Sequence, residues 1–406
     1  MEPKIRLKGF CEEWEEVSFG SLAKIRRGLT YVPSNITQKG IRVLRSSNIE
    51  EDTFILSDDD VFVEQSCVNI PLANDGDILI TAANGSPRLV GKHAIVETKG
   101  TLVVPGGFMV LAMSNEPLFL NASMSGPWYK KFLKTGVAGG NGAIGNLNKN
   151  ALEKYFFFIP KENNERTAIG HYFHNLDALI QSTTKKIKSL KQVKAASLQS
   201  MFPQDRKTEP LVRFKGYTNE WKTCKLNSIL TERHEASTIT SELPQLSFTI
   251  AEGVIRPEDR KSNQRDFLIK DKDNKRYLIT RVGDIIYNPA NVVFGAIHRN
   301  SLMDGVVSPI YRIFHTDQDS RFIECVVRRP SFINQLAMRT EGTVTKLKTL
   351  KPEAFLDMTV CIPTDMAEQR AIGEYFRNLD EQITLQTQRL EKLKQIKSAC
   401  LDNMFV

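Results

Sequence analysis

Hydrophobic residues recur at alternating intervals of four and three positions in two segments of the chain, residues 165–202 and residues 368–405. This spacing averages about 3.5 residues, so it places the side chains along one seam of a long helix that packs against another helix. The predicted seam residues are Ile169, Phe173, Leu176, Ile180, Ile187, Leu190 and Met201 in the first helix, and Ile372, Phe376, Leu379, Ile383, Leu390, Leu393 and Met404 in the second.

The two segments are copies of each other. They align without a gap, and 19 of the 38 aligned residues are identical. A second match pairs residues near the start of each copy, and GDILI at Gly76 matches GDIIY at Gly283. The pairs near the start are Arg6 with Arg213, Gly9 with Gly216, Phe10 with Tyr217 and Trp14 with Trp221. The chain is therefore predicted to be two tandem copies of one unit. The repeat is too long for a solenoid, so it is interpreted as a duplicated domain, and a pseudo-twofold arrangement of the copies is expected.

Capping signals define the ends of the predicted helices. Asp365 and Glu368 are spaced as a capping box, and Asn163 or Asn164 can cap the first helix. Pro203 is expected to end that helix. At about 1.5 Å per residue, a helix of roughly 35 residues is about 50 Å long.

Two polar residues interrupt each seam at equivalent positions. They are Thr183 and Lys194 in the first helix, and Gln386 and Lys397 in the second. Such residues either fix the register of an antiparallel helix pair or are solvated where the pair separates, and the sequence leaves both interpretations open.

The segments between the matched ends have diverged and predict mixed α/β domains. Short β-like runs, bounded by Gly, Pro, Asn and Asp, occupy residues 41–44, 77–81, 93–97, 284–287 and 306–314. The predicted fold class is α+β, with two mixed α/β domains joined by two long antiparallel helices. The predicted boundaries are 1–160 and 204–363 for the mixed domains, and 161–203 and 364–406 for the helices.

Composition limits the function classes. The 406 residues are 41% hydrophobic and 25% charged, which is typical of a globular protein. A net charge of +8 favours a polyanionic partner without establishing one. No apolar run approaches the length of a membrane span and no signal core is present at the N-terminus, so a cytoplasmic location is expected. The six cysteines lie far apart, which argues against a disulfide framework or a metal site.

The repeated order of an RxKGFxxxW segment, a variable domain, GDI and a helix that runs from AIGxYFxNLDxxI to MF resembles the specificity subunit of type I restriction-modification systems. The resemblance covers essentially the whole chain. It implies a non-catalytic subunit in which each variable domain recognises one half of a split DNA target and the helices set the gap. It also implies that the matched regions dock two methyltransferase subunits and that restriction subunits join the complex. The partners use S-adenosylmethionine, magnesium and ATP, so no cofactor is expected here.

Residues that read DNA sequence are expected where the two copies differ, because different half-sites need different readers. Asn, Ser, Lys and Arg are suited to base edges and phosphates. The candidates are Asn84, Ser86, Arg88 and Lys92 in the first domain, and Asn288, Asn291, Arg299, Lys346 and Lys348 in the second. Trp14 and Trp221 lie in matched regions and are expected to be structural.

Two near-motifs are incomplete, and this argues against nucleotide binding and against catalysis by this chain alone. The loop from Gly85 to His93 lacks the glycine spacing and the Ser or Thr of a phosphate-binding P-loop. The run from Tyr287 to Ala290 lacks the second proline and the aromatic residue of the amino-methyltransferase motif. The alternative function is a coiled-coil scaffold that binds proteins, and steep salt dependence of DNA binding would argue against it.

Overall fold

The structure is a computed structural model that describes residues 2–138, 144–204, 207–260, 275–340 and 349–406. The chain divides into two compact units. The first contains residues 1–185 together with residues 387–406, and the second contains residues 186–386. The boundary crosses both long helices, so each unit contains a part of each helix.

The first unit is built around two four-stranded sheets. One has the order β10-β8-β12-β2 and is antiparallel throughout, and the other has the order β11-β4-β7-β3 with a parallel β11–β4 pair. Two smaller sheets pair β1 with β15 and β5 with β6, and a three-stranded sheet has the order β13-β14-β9. The strands are β1 Trp14–Ser18, β2 Ala23–Arg27, β3 Ile36–Thr37, β4 Ile41–Leu44, β5 Ile49–Glu50, β6 Thr53–Phe54, β7 Val61–Val63, β8 Ile78–Thr81, β9 Ala83–Asn84, β10 His93–Ile95, β11 Val103–Pro105, β12 Met109–Ser114, β13 Val137–Ala138, β14 Gly145–Leu147 and β15 Phe156–Pro160. The helices that begin in this unit are α1 Phe19–Leu22, α2 Pro117–Met124, α3 Pro127–Gly136, α4 Lys149–Glu153 and α5 Asn163–Ser200.

The second unit repeats the antiparallel four-stranded sheet, with the order β17-β25-β22-β23. Its other sheets are β18-β21-β24, β16-β26 and β19-β20. The strands are β16 Trp221–Lys225, β17 Thr231–Glu232, β18 Ala236–Ser237, β19 Ser247–Thr249, β20 Gly253–Ile255, β21 Tyr277–Thr280, β22 Ile285–Tyr287, β23 Ile297–Arg299, β24 Gly305–Val307, β25 Arg312–His315 and β26 Thr359–Pro363. The helices that begin here are α6 Ser320–Val327, α7 Pro330–Ala337, α8 Pro352–Leu356 and α9 Met366–Met404.

The predicted mixed α/β architecture and the two long helices are confirmed, with one correction among the strands. Four of the five predicted runs contain a strand within their limits. The run 306–314 was wrong as a single strand, because it is divided between β24 and β25 by a turn that contains Pro309. Proline cannot donate a ladder hydrogen bond, which favours a break at this position.

The predicted capping box of the second long helix was half correct. Asp365 caps α9, since its Oδ1 accepts a hydrogen bond of 2.7 Å from the backbone N–H of Ala367. The Glu368 side chain forms other hydrogen bonds in place of the capping-box bond to the backbone N–H of Asp365. Its buried carboxylate accepts hydrogen bonds from Arg213 at 2.6 Å and 2.7 Å and from the indole N–H of Trp221 at 3.3 Å. The first long helix begins at Asn163 itself, so this residue lies in the first turn.

The predicted seam residues line the inner sides of α5 and α9. Within the first unit, Ile169 and Phe173 of α5 share a hydrophobic core with Met404 and Phe405, at the end of the chain. The second unit has the reverse pairing, because Met201, directly after α5, shares a core with Ile372, Phe376 and Leu379 of α9. The start of one helix therefore meets the end of the other inside each unit, as expected for an antiparallel pair. None of the predicted seam residues is exposed; Ile180, Leu190, Ile383, Leu390 and Leu393 are half-buried and the others are buried.

Two of the four polar seam residues form equivalent ion pairs. Lys397 contacts Asp177 at 2.8 Å in the first unit, and Lys194 contacts Asp380 at 2.5 Å in the second. Thr183 is buried but donates its hydroxyl to the carbonyl of Leu179 in its own helix at 2.7 Å. These distances favour the register interpretation for the two lysines and a local role for Thr183.

Each unit also fastens its N-terminal segment to the start of its long helix in the same way. Arg6 donates two hydrogen bonds, of 2.8 Å and 2.7 Å, to the carboxylate of Glu165, and Arg213 makes the same contact with Glu368. Both glutamates are fully buried. Removal of one partner from such a pair typically costs 3–5 kcal/mol, so the matched arginines are structural. Trp14 and Trp221 are both buried, as expected from their matched positions.

None of the described helices contains an apolar stretch long enough to cross a bilayer.

We predict that Phe405→Ala destabilises the first unit selectively. The Phe405 ring is buried and lies 5.7 Å from the ring of Phe173 and 6.2 Å from that of Phe119. Loss of a buried phenylalanine costs about 3–5 kcal/mol. Hydrogen exchange should therefore increase in β8 and β12 and change little in β22 and β25. The matched variant Phe202→Ala should give the opposite pattern, and equal effects on both units would contradict this division of the core.

Candidate nucleic-acid interface

The matched GDI segment forms the same turn in both units. Gly76 and Gly283 adopt φ values of +92° and +101°, a conformation that favours glycine. The next residue closes the turn, since Asp77 accepts a hydrogen bond from the backbone of Asn74 at 2.9 Å, and Asp284 accepts one from the backbone of Arg281 at 2.8 Å. The motif is therefore structural, and it directs a buried strand, β8 or β22, towards the loop that differs between the units.

In the first unit the side chain of Asn84 holds this loop in place. Its Nδ2 donates a hydrogen bond of 3.1 Å to the hydroxyl of Ser46, and its Oδ1 accepts one of 2.9 Å from the backbone of Ser86. Ser86 and Arg88 are exposed and Lys92 is half-buried. Neither Arg88 nor Lys92 has a carboxylate partner among the residues described, so both cations are available to an anion.

The variable segment before each long helix meets this loop. In the first unit β14 pairs with β9, with Gly145 opposite Asn84. In the second unit the backbone N–H of Leu350 donates to the carbonyl of Pro289 at 3.1 Å. Two segments that are more than 50 residues apart in the sequence therefore form one surface in each unit.

The first unit has a cavity of about 670 Å³ on one side of the 81–93 loop. We call it the apolar cavity, because apolar residues dominate its lining. Asn84, Arg45 and Ser46 supply polar groups, and the Phe108 side chain at its edge is 67% exposed. Amide and guanidinium groups can donate hydrogen bonds to base edges, while an exposed ring provides an apolar contact for a thymine methyl group.

A second cavity, of about 530 Å³, lies on the other side of the loop and is called the basic cavity. Arg88 and Lys92 line it together with residues of the long helices. Its acidic residues are already paired, since Glu51 contacts Lys394 at 3.1 Å and Asp52 contacts Lys397 at 3.6 Å. Three of the four candidates of the first unit are thus divided, because Asn84 lines the apolar cavity and Arg88 and Lys92 line the basic one. Ser86 is exposed on the loop between them.

The candidates of the second unit have different surroundings. Asn288 and Asn291 are half-buried in the loop after β22, where Oδ1 of Asn288 accepts a hydrogen bond of 3.0 Å from the backbone of Ala290. Arg299 lies in β23 with its side chain 14% exposed and its Nε 3.6 Å from the carboxylate of Glu324. This placement favours a structural role for Arg299. Lys346 and Lys348 lie outside the described residues.

Sequence reasoning missed Arg45, Ser46 and Phe108. They come from two strand ends that are far from the 81–93 loop in sequence, so no local motif connects them with it. Phe108 follows Gly106 and Gly107, and an aromatic residue after a glycine pair was a signal for an exposed turn. In the described ranges, no group of three or more His, Cys, Asp or Glu side chains is placed to hold a metal ion.

Comparisons with known proteins identify similar chains. Residues 11–192 match the model of a family described as the type I restriction modification DNA specificity domain. The S subunit of a type I restriction-modification system from M. genitalium is similar in structure, with a TM-score of 0.62 and 13% identity over 100% of this chain and 99% of that chain. The family match confirms the resemblance seen in the sequence, and the structural similarity confirms the fold. No curated protein matches the chain.

Two other solved structures are more distant. One comes from a structural description of complex assembly and conformational transition of the type I R-M system. Its TM-score is 0.41, with 13% identity, and the match covers 96% of each chain. The other is the HsdS subunit from Thermoanaerobacter tengcongensis, with a TM-score of 0.38 and 15% identity over 97% of this chain and 96% of that one.

A buried histidine follows the variable loop in each unit. His93 in β10 hydrogen-bonds Asn121 of α2 at 2.9 Å, and His298 in β23 hydrogen-bonds the carbonyl of Ile250 at 2.8 Å. Burial lowers the pKa of both rings, and that of His298 falls to about 4. The nearby Arg328 contributes to the shift of His298. Both rings are therefore neutral at pH 7 and have a structural role.

We predict that acidification destabilises the second unit through His298. The unfolded chain binds a proton near pH 6.5, whereas the folded ring does so near pH 4, so stability is lost as the pH falls below about 6.5. The expected loss between pH 7.5 and pH 5 is about 2 kcal/mol. His298→Gln should reduce this pH dependence, as measured by urea unfolding. The control His234→Gln changes an exposed ring and should leave the pH dependence of stability unaltered. If the His298 variant keeps the pH dependence of the unaltered chain, the attribution to His298 is wrong.

Proposed function

We propose that this chain, whose residues 11–192 belong to the DNA specificity domain family of type I restriction-modification systems, is the DNA-recognition subunit of such a complex. Each unit reads one half of a bipartite target, and the helices set the spacing. The chain assembles with methyltransferase subunits and, in the full complex, with restriction subunits. It performs no catalysis itself, and the complex acts in the cytoplasm.

One observation carries this proposal: the two units share a framework and differ in the loops that the framework presents. The buried Arg–Glu pairs, the GDI turns and the helix pairing are the same in both units. The loop 81–93 has a basic side and an apolar side, whereas the loop after β22 presents two asparagines. Because the two units present different loops on the same framework, a target with two different half-sites is favoured. Two identical reading loops would recognise a palindrome.

The chemistry of the first unit separates phosphate contact from base contact. Arg88 and Lys92 are cations that have no carboxylate partner among the described residues. Both are therefore suited to contact phosphate oxygens. Asn84 and Arg45 lie beside the exposed Phe108, which suits base edges in a groove. The proposed reader of the second unit is the Asn288 and Asn291 loop, together with the segment that contains Lys346 and Lys348.

We predict that Asn84→Ala relaxes sequence preference in only one half of the target. Loss of a good base contact costs about 1–3 kcal/mol of discrimination. The complex formed with the methyltransferase subunit would be tested on a random DNA library by methylation-aware sequencing. Asn288→Ala should relax the other half. Methylation at a continuous palindrome by the unaltered complex would contradict the proposed function.

We also predict that Arg88→Ala and Lys92→Ala weaken binding to all DNA sequences and each reduce the salt slope by about one. The measurement is DNA affinity of the full chain at several salt concentrations. Lys225→Ala is a matched control, because this exposed lysine already pairs with Asp357 at 2.5 Å. If the Arg88→Ala and Lys92→Ala variants keep the salt slope of the unaltered chain, as the control should, phosphate contact by these two residues is excluded.

A further inference from the structure

Both units contain the same β-turn at one end of the antiparallel four-stranded sheet. In the first unit the turn joins β11 to β12, and the backbone N–H of Met109 donates a hydrogen bond of 2.8 Å to the carbonyl of Gly106. In the second unit the turn joins β24 to β25, and the N–H of Tyr311 donates one of 3.2 Å to the carbonyl of Ser308. Because β11 and β24 are buried throughout, each turn projects from the core and returns to it.

The tip of this turn carries a large apolar side chain in both units. It is Phe108 in the first unit and Ile310 in the second, and these side chains are 67% and 59% exposed. Strand pairing shows that the two positions are equivalent. Two residues after the tip, each strand pairs with the last residue of the matched GDI segment, Ile80 in the first unit and Tyr287 in the second.

The exposed tip has no packing task in its own unit, since its side chain faces solvent. The two turns differ in every residue that forms them, and only the large apolar side chain at the tip is common to both. In the first unit two more exposed side chains, Ile36 and Ile144, line the apolar cavity together with Phe108. An exposed apolar group of this kind indicates an interaction surface.

Each turn lies at the end of the sheet where the proposed reading loop begins. The carbonyl of Phe108 accepts hydrogen bonds of 2.8 Å and 3.0 Å from the backbone N–H groups of Ala82 and Ala83, directly after β8. In the second unit Tyr287 pairs with β25 just after the turn, and Asn288 begins the loop. The tip side chains therefore project from backbone that strand hydrogen bonds hold in place, beside the groups proposed to read bases.

A fixed apolar tip beside such groups is suited to contact the faces of bases. Phenylalanine and isoleucine are among the side chains that DNA-binding proteins insert between neighbouring base pairs, which partly unstacks the pairs and kinks the duplex. Cations such as Arg88 and Lys92 can hold the bent duplex through its phosphates. Because pyrimidine–purine steps unstack readily, insertion adds a sequence preference at a step that no polar group contacts.

We propose that Phe108 and Ile310 are wedges, each of which inserts between two neighbouring base pairs of one half-site and kinks the DNA there. This inference rests on the proposed function, which supplies double-stranded DNA as the partner. It adds bending of the target to the reading of base edges, and it places a pyrimidine–purine step in each half-site. Insertion differs from contact with a thymine methyl group, because a methyl contact leaves the base stack intact.

The test uses the complex of the full chain with its methyltransferase subunit, bound to its own target site. The base analogue 2-aminopurine, whose fluorescence rises when it leaves the base stack, replaces single purines in each half-site, and the methylated bases are left out of the scan. Fluorescence should rise at one step in each half. Phe108→Ala should abolish the rise in the half that the first unit reads, and Ile310→Ala should abolish it in the other half. Each variant should also reduce the DNA bend, measured by energy transfer between dyes on the DNA ends, by about 20° or more.

Matched variants separate insertion from a general loss of apolar surface. Phe108→Leu should keep most of the bend, because leucine also inserts between base pairs. Phe156→Ala removes an exposed ring from β15, and Val282→Ala removes an exposed side chain before β22, at the opposite end of that strand from the Ile310 turn. Neither control should change the bend or the fluorescence.

The outcomes distinguish this inference from the proposed function. If the unaltered complex binds its bipartite site without unstacking any step, or if the alanine variants keep the full bend, the inference is wrong while the proposed function stands. If uracil in place of thymine weakens binding as much as Phe108→Ala does, and no step is unstacked, the ring contacts a methyl group and is not a wedge. Loss of the second kink in Phe294→Ala rather than Ile310→Ala would overturn the assignment of Ile310. A complex that binds no bipartite site would overturn the proposed function itself.

Discussion

The structure depends on a long-range constraint: each compact unit completes its core with a helix segment from the other half of the sequence. Phe405 is buried beside Phe173 and Phe119 in the first unit, and Phe202 is buried beside Phe322 and Phe376 in the second. Burial of one such ring contributes several kcal/mol, which is a large part of the stability of an ordinary domain. Each sheet-rich domain is therefore joined to both helices by packing as well as by the chain connection.

Buried charge reinforces this packing at equivalent places. The carboxylates of Glu165 and Glu368 are removed from water and accept hydrogen bonds from the arginine of the N-terminal segment, and Glu368 also accepts one from the indole N–H of Trp221. Lys397 with Asp177 and Lys194 with Asp380 add a contact between the helices in each unit. Such pairs are weak sources of net stability but penalise any arrangement that leaves a charge unpaired. They keep the framework constant while the loops vary, which is the physical basis of the proposed division between support and recognition.

The sequence predicted the framework well because its signals are local or repeated. Seam spacing identified α5 and α9, and the duplication matched the arginines, tryptophans and glycines that have equivalent positions in the two units, without any alignment to other proteins. The two errors have different causes, because Pro309 interrupts the run 306–314 locally whereas Glu368 has a partner that is distant in sequence. Glu368 has the spacing of a capping residue, yet Arg213 provides a stronger, charge-assisted partner. The DNA contact proposed for Arg299 stays a prediction, and the structure adds only that the carboxylate of Glu324 in α6 lies 3.6 Å from its Nε.

By itself, the sequence determined the duplication, the two long helices and the segments that differ between the copies, because periodicity and internal identity are properties of the chain order. Only the tertiary structure decided which variable segments meet. The pairing of Gly145 with Asn84, the approach of Phe108 and Arg45 to the same cavity, and the placement of Arg88 in a different one follow from sheet order. Sheet order arises from pairings between distant strands, and short strands without a strong alternating pattern do not specify their neighbours.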